Sequence, residues 1–463
     1  MSTTPLFNGT TNPLKPEVAI VGAGIGGLLL GLLLEQIDVP YHIYERATTV
    51  KPLGSAMSLG ASVLPIFEQL GMLEELKSFS LPCYSAEVYN EKIERLGCFD
   101  MSDLDKLLGT YNRIFARPRL YEMMLNRIPI QKISHGKKVL RTDEKDGRVH
   151  IHCADNTSYE ADILVGADGA YSGVRRSLYK RLDEQGVLPE TDLENFTIAS
   201  INMVGVADPE EPEKYPQLKD EFCHFSIVVG GSGGLSWGAV SVPDNQICWS
   251  LVIQLSDSDA KAMQFRNSEW APESIEAMYK QFEDVRCPWG PVTLGEVMKH
   301  TPKDRISKVF LEEKLFTTWY GGHTVLLGDA CHKMLPGAGL GAVNAMHDAV
   351  VLANAIYNMT DASPTSITGA FEEYYGQRFH RLDDQIKRSK SLTAVMGGED
   401  QNFIKSVEYR PQVAWLPLIP NRGTGHVLAQ EGQRELLADK HKRLQEEEQQ
   451  QDNSVILSQA KAV

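Results

Sequence analysis

The chain has 463 residues, of which 42% are hydrophobic and 23% charged, a balance that excludes a disordered or fibrous protein and leaves enough apolar material for a large core. Its 46 basic and 61 acidic side chains give a formal net charge of −15, against the clustered positive field that a nucleic-acid backbone or an anionic lipid surface requires. The seven cysteines (Cys83, Cys98, Cys153, Cys223, Cys248, Cys287 and Cys331) form no C-x-x-C pair and no zinc spacing, so a reducing compartment fits.

Residues 1–16 are rich in Thr, Asn and Pro and read as a flexible leader, without the basic and apolar regions of a secretory signal. A cytoplasmic location is expected. Next come an apolar strand (18–21), a glycine turn, an apolar helix (28–35) and a second strand (41–44), which make one βαβ unit. The seventeen uncharged residues 18–34 approach the length of a membrane span, but five glycines interrupt them. A buried strand and helix explain them better, and no transmembrane segment is expected. Helical spacing returns at 63–73, with Gly71 as a break, and at 117–127; residues 83–99 are β-prone, and 161–170 read as a buried strand ending in a tight turn.

Between 190 and 300 the texture becomes alternating: 197–207, 224–230, 235–242 and 246–255 read as a mostly antiparallel inserted sheet. Residues 323–332 return to buried-strand texture, a small-residue helix is expected over 341–357, and a long amphipathic helix over 364–396. The apolar run 412–420 is too short to span a membrane, and the tail around 446–452 is polar and of low complexity.

The first motif that carries chemistry is Gly22-Ala23-Gly24-Ile25-Gly26-Gly27, a G-x-G-x-x-G between a strand and a helix. Gly22 permits the turn, Gly24 lets backbone approach a pyrophosphate, Gly27 lets helix and strand pack, and the helix N-terminus faces the phosphate charge. Glu45 ends the second strand, 23 positions after Gly22, where its carboxylate can accept ribose hydroxyls. This motif alone does not separate NAD from FAD.

Two later motifs resemble the FAD-dependent monooxygenases of the para-hydroxybenzoate hydroxylase type, close to the fungal FAD-dependent monooxygenases of secondary metabolism. The D-G-x-x-S-x-x-R signature is matched by Asp168, Gly169, Ser172 and Arg175. The G-D-A-x-H and P-x-x-G-x-G signatures are matched by Gly328-Asp329-Ala330-Cys331-His332 and by Pro336, Gly339 and Gly341, followed by the pair Asp348-Ala349. Arg117 to Leu120 is similar to the family's R-x-x-L, and Tyr374, Arg378 and Arg381 to its following helix. One departure is the apolar Leu340 in the P-x-x-G-x-G loop, which hints at an apolar substrate edge.

The resemblance implies an α/β fold: a Rossmann-like FAD-binding domain of the glutathione-reductase type (17–82, 111–185 and 301–358) with an inserted, mostly antiparallel β-sheet substrate domain (83–110 and 186–300). C-terminal helices (359–425) and a polar tail (426–463) complete it. It implies non-covalent FAD, held by residues 22–27 with Glu45, Arg46, Ser58, Arg117, Asp329, Gly339, Gly341 and Ala342. NADPH or NADH would be a transient co-substrate, with Asp168, Gly169 and Arg175 at the joint between cofactors. The implied reaction is O2-dependent hydroxylation or epoxidation of a small apolar or aromatic molecule through a C4a-hydroperoxyflavin, with no metal. No catalytic acid or base is assigned.

An FAD oxidase or reductase without oxygen insertion is the alternative; a disulfide reductase would need a C-x-x-C. Phe225, Trp237 and Trp249, on the inserted sheet, face either pocket or core, with core favoured. Ser232, in a chance G-x-S-x-G, reads as part of a hairpin turn rather than a hydrolase elbow, and the pair Cys331 and His332 reads as structural.

Overall fold

In the computed structural model, residues 15–49, 53–231, 234–256, 258 and 272–396 are described. The leader to residue 14, Ser232, the run 412–420 and the polar tail lie outside the described residues. A six-stranded sheet forms one half of the fold, in the order Tyr320–Gly321, Thr324–Leu326, Ile163–Gly166, Val18–Val21, Tyr41–Tyr44 and Ile133–Ser134. Val18–Val21 pairs in parallel on both sides and is buried throughout, which is why it reads as an unbroken apolar run. Helix Ile25–Gln36 is buried on every side, against this sheet and helix Gly341–Tyr357. That double burial, rather than lipid, accounts for the uncharged segment: among the described residues no helix is long and apolar enough to cross a membrane.

The second half is an eight-stranded sheet. From the edge strand His332–Lys333 it runs antiparallel through Ser307–Leu315, Thr197–Ala207, Gln246–Gln254, Leu235–Val242 and Phe225–Gly231; beyond this last strand Ser85–Asn90 joins in parallel, then Arg95–Asp100. Strand Ser307–Leu315, on the cofactor-domain side of the expected boundary at 300, belongs to this sheet by its pairing with Thr197–Ala207. Side chains alternate across it. Ile201, Met203, Trp237, Trp249 and Leu251 build a separate core with helices Pro272–Phe282 and Leu294–Lys299, and the opposite face looks toward the parallel-sheet half.

Two smaller sheets complete the framework: Ala56–Leu59 and Leu81–Cys83 flank Asn112–Ala116, and a meander runs over Val139–Lys145, Arg148–Cys153 and Ser158–Ala161. The sequence reading missed the meander. Its first turn is Asp146-Gly147, both with positive φ, as a two-residue hairpin turn requires.

Helix Pro364–Met396 binds the halves together. Arg378 donates through Nε to the Asp348 Oδ1 at 2.7 Å, while Asp348 Oδ2 accepts from Gly328 N–H at 3.0 Å and meets His332 Nε2 at 2.5 Å. Burial alone would raise the Asp348 carboxyl, but His332 and Arg378 outweigh it and hold it at about 2. This buried network fixes the Gly328–His332 loop between two helices, which gives His332 a structural partner as expected. Cys331, His332 and Asp348 lie within metal-ligating distance of one another, but Asp348 is already paired with the Arg378 guanidinium, a poor setting for a cation.

Candidate active site

Between Val18 and Leu34 every residue is buried except Gly24, where an added Cβ would meet nothing within 4 Å. Gly22 and Gly27 differ. Gly22 has φ +108°, and a Cβ there would stand 2.4 Å from the Ala167 carbonyl oxygen; one on Gly27 would stand 2.1 Å from the Gly22 oxygen. Gly26 is closed by Leu327 at 2.5 Å. These three glycines answer to the protein's own packing, whereas Gly24 opens outward at the start of helix Ile25–Gln36, whose N-cap carries no side-chain hydrogen bond. First-turn amides and the helix dipole there suit a diphosphate.

Glu45 folds back onto this turn. Its Oε2 accepts from Ala23 N–H and its Oε1 from Ala47 N–H, each at 2.8 Å. Both oxygens keep a lone pair for a further donor, such as a ribose hydroxyl. Arg46 is exposed beside it.

Helix Arg117–Leu125 supplies the next stretch of wall. Arg117 is closely surrounded by protein yet still reaches solvent, as a side chain lining a deep cleft does. Burial lowers its pKa, with Asp329 and Tyr121 acting in the opposite direction. One helical turn on, Tyr121 has a buried hydroxyl without a partner, raised to about 12 by burial and by Glu45, with Arg117 working against the rise. Glu45 and Arg117 thus both act on Tyr121, and Asp329 on Arg117. The sequence reading missed Tyr121, although its place four residues after Arg117 puts both on one helix face.

Asp168 and Arg175 are engaged inside the protein. Asp168 accepts from Ser172 Oγ, from Gly173 N–H at 2.7 Å and from Val174 N–H at 3.2 Å, capping helix Gly173–Glu184. Burial pushes its carboxyl up, against the lowering effect of these bonds. Arg175 is 7% exposed; it donates to Ala170 O at 2.6 Å and to Ala330 O at 2.7 Å, and its guanidinium lies 4.1 Å from the Phe316 ring centre. Gly169 provides the left-handed turn between them, with φ +81°.

A cavity of about 390 Å³ lies against the inserted sheet. Its walls include Ser58, the loop residues Pro336, Gly337 and Gly339, and the sheet face bearing Asn202, Ser236 and Ser250. Gly341 and Ala342, both half-buried, open helix Gly341–Tyr357 beside it. Phe225, Trp237 and Trp249 all line the cavity; the two tryptophans also belong to the core beneath, Trp249 donating from Nε1 to Thr301 Oγ1 at 2.8 Å. Leu340 does not form the expected apolar edge: it is buried in the core of the parallel-sheet half. Thr393, which no motif flagged, reaches the cavity from the long C-terminal helix; Ser389, one turn earlier, donates to Leu335 O at 2.6 Å and ties that helix to the loop.

These residues fit FAD, because the open Gly24 cradle suits its diphosphate, Glu45 and Asp329 offer acceptors for its hydroxyls, and the Tyr121 hydroxyl is unpartnered. A family model described as FAD binding domain matches residues 15–367. The FAD-dependent monooxygenase esdpE of Penicillium shearii is 26% identical over 409 residues, covering 83% of this chain and 79% of its own. The FAD-dependent monooxygenase ausM of Emericella nidulans is 26% identical over 418 residues, covering 84% and 79%. Among solved structures, HpxO of Klebsiella pneumoniae complexed with FAD and uric acid is similar in fold, with a TM-score of 0.71 at 20% identity over 88% of this chain and 97% of that one.

Proposed function

This chain belongs to the FAD binding domain family and is an FAD-dependent monooxygenase, and on that premise we propose how its residues hold the cofactor and the substrate. Gly24 and Ile25 would hold the FAD pyrophosphate, Glu45 its adenosine ribose, Arg117, Tyr121 and Asp329 its ribityl chain, and Gly339 to Ala342 its flavin ring. The observation that carries this placement is Gly24: it alone among the four glycines of residues 22–27 faces space that the protein leaves open.

When bound, FAD supplies the redox chemistry, taking a hydride from NAD(P)H and, with O2, delivering one oxygen atom to the substrate. The chain's own residues bind, orient and exclude water. Arg117 and the first turn of helix Ile25–Gln36 offset phosphate charge, and the apolar cavity walls keep bulk water from the reacting atoms. Arg175 acts through position, tying the Ala170 and Ala330 segments together, and Asp168 caps the helix that carries it.

The test is the purified protein with FAD, NADPH or NADH and labelled O2. Substrate-stimulated consumption of reduced nicotinamide, with one labelled atom in the product, is expected. Oxidation of the true substrate without label would leave an FAD oxidase in its place.

A further inference from the structure

We propose that the cavity selects an uncharged, largely apolar organic molecule carrying a hydroxyl or carbonyl oxygen, and that Asn202, Ser236 and Ser250 read that oxygen; this rests on the cavity being the oxygenation site. Among the described residues, no Asp, Glu, Lys, Arg or His lines the cavity. A carboxylate or ammonium entering it would lose water and find no countercharge, whereas an uncharged ring loses only unfavourable hydration.

Ser55, Ser58 and Thr393 add hydroxyls from other walls, but three of the polar groups that line it are grouped on one patch of the sheet. Asn202 is paired with Val252, which on its other side is paired with Ser236; two residues away on the same strand, Ser250 is paired with Gly238. Even-numbered positions of these three strands share the cavity face, so an amide and two hydroxyls surround Val252, with the Gln254 side chain next along its strand. Asn202 Oδ1 is buried and has no hydrogen-bond partner within the described structure. An amide left with an unused end beside a cavity is the group a ligand hydroxyl or carbonyl completes, since an Asn side chain offers both donor and acceptor.

Gly238 keeps this patch within reach. A Cβ added there would lie 3.5 Å from Ser250 Oγ and 3.9 Å from Phe225 Cε2, so any larger residue would stand over the floor between the hydroxyl and the aromatic wall.

The test uses the FAD-loaded full chain and three probes of one skeleton, 2-naphthol, 2-naphthoate and naphthalene, titrated while the absorbance of the bound flavin is followed. 2-Naphthol should shift the flavin spectrum saturably, with 2-naphthoate weaker by at least about tenfold. Asn202→Leu should weaken 2-naphthol several-fold while leaving naphthalene unchanged, and Val252→Lys should reverse the preference toward 2-naphthoate. FAD loading of each variant is measured first, so that misfolding is not scored as lost selectivity. Native protein that takes up FAD but binds 2-naphthoate as tightly as 2-naphthol, binds no uncharged probe, or loses naphthalene equally in Asn202→Leu overturns the proposal. A native chain that takes up no FAD fails at the cofactor placement instead, a separate result.

Discussion

The Arg175 guanidinium donates to the carbonyl oxygen of Ala330, 155 positions later in the chain, and so joins the D-G turn to the loop that carries Asp329. Removing it leaves two carbonyls without their donor in a largely buried place, a loss of about 1–3 kcal/mol. Arg175→Ala should therefore lower the unfolding midpoint and slow anaerobic flavin reduction by NAD(P)H more than it weakens FAD retention. Arg175→Lys, which lacks the planar fork, should recover only part of both. Stopped-flow reduction alongside FAD titration separates the two effects, and reduction at the native rate in Arg175→Ala would remove the positioning role.

The motif glycines should divide by substitution. Gly24→Ala adds a methyl that touches no protein atom, so the apo protein should unfold where the native one does, while FAD affinity falls at least about tenfold through loss of close backbone approach. Gly27→Ala drives its Cβ toward the Gly22 oxygen and should destabilise the apo protein itself. Thermal unfolding of both variants with and without FAD checks the division; equal apo destabilisation would take Gly24 out of the cofactor cradle.

Much of this site is legible in the sequence because glycine spacing and the D-G and G-D-A motifs are local patterns, each within one turn of chain. Strand Val18–Val21 and helix Gly341–Tyr357 are legible for a similar reason, since burial on all sides leaves unbroken apolar texture. What was hidden depends on distant segments meeting. Thr393 reaches the cavity only because a 33-residue helix ends there, and the internal engagement of Arg175 depends on a carbonyl from the Ala330 turn. Which face of the inserted sheet holds Phe225 and which holds Trp249 follows from register, and alternation alone does not say which face meets the cofactor half.

Glu45 and Tyr121 should act on FAD in different degrees. Glu45→Ala removes a charged acceptor that also holds the Ala23 and Ala47 amides, so FAD binding should weaken by about 1.5–3 kcal/mol. Tyr121→Phe removes only a neutral hydroxyl, and the loss should be about 0.5–1.5 kcal/mol. At saturating FAD both variants should turn over as the native enzyme does. Isothermal titration gives the affinities, and Tyr121→Phe binding FAD more tightly than native would mean that the hydroxyl has no partner in the complex either.

Two buried histidines should make the fold less stable in acid. Burial lowers His42 from 6.5 to about 4, and burial, with Arg378 next, lowers His347 to about 3. Below pH 6.5 the unfolded chain takes up protons at these rings that the folded chain refuses, so their contribution is complete above 6.5 and lost as pH falls toward the folded values. The slope approaches about 1.4 kcal/mol per pH unit for each ring well below 6.5. Asp348, held at about 2, stays ionised through this window and is not the source of the loss. Glu17 and Asp168, both raised by burial, act in the opposite sense, which makes the difference between native and variant protein the informative quantity. His42→Gln should show a shallower decline in FAD-saturated unfolding free energy between pH 6.5 and pH 4 than the native chain; parallel curves would assign the acid loss to groups other than His42.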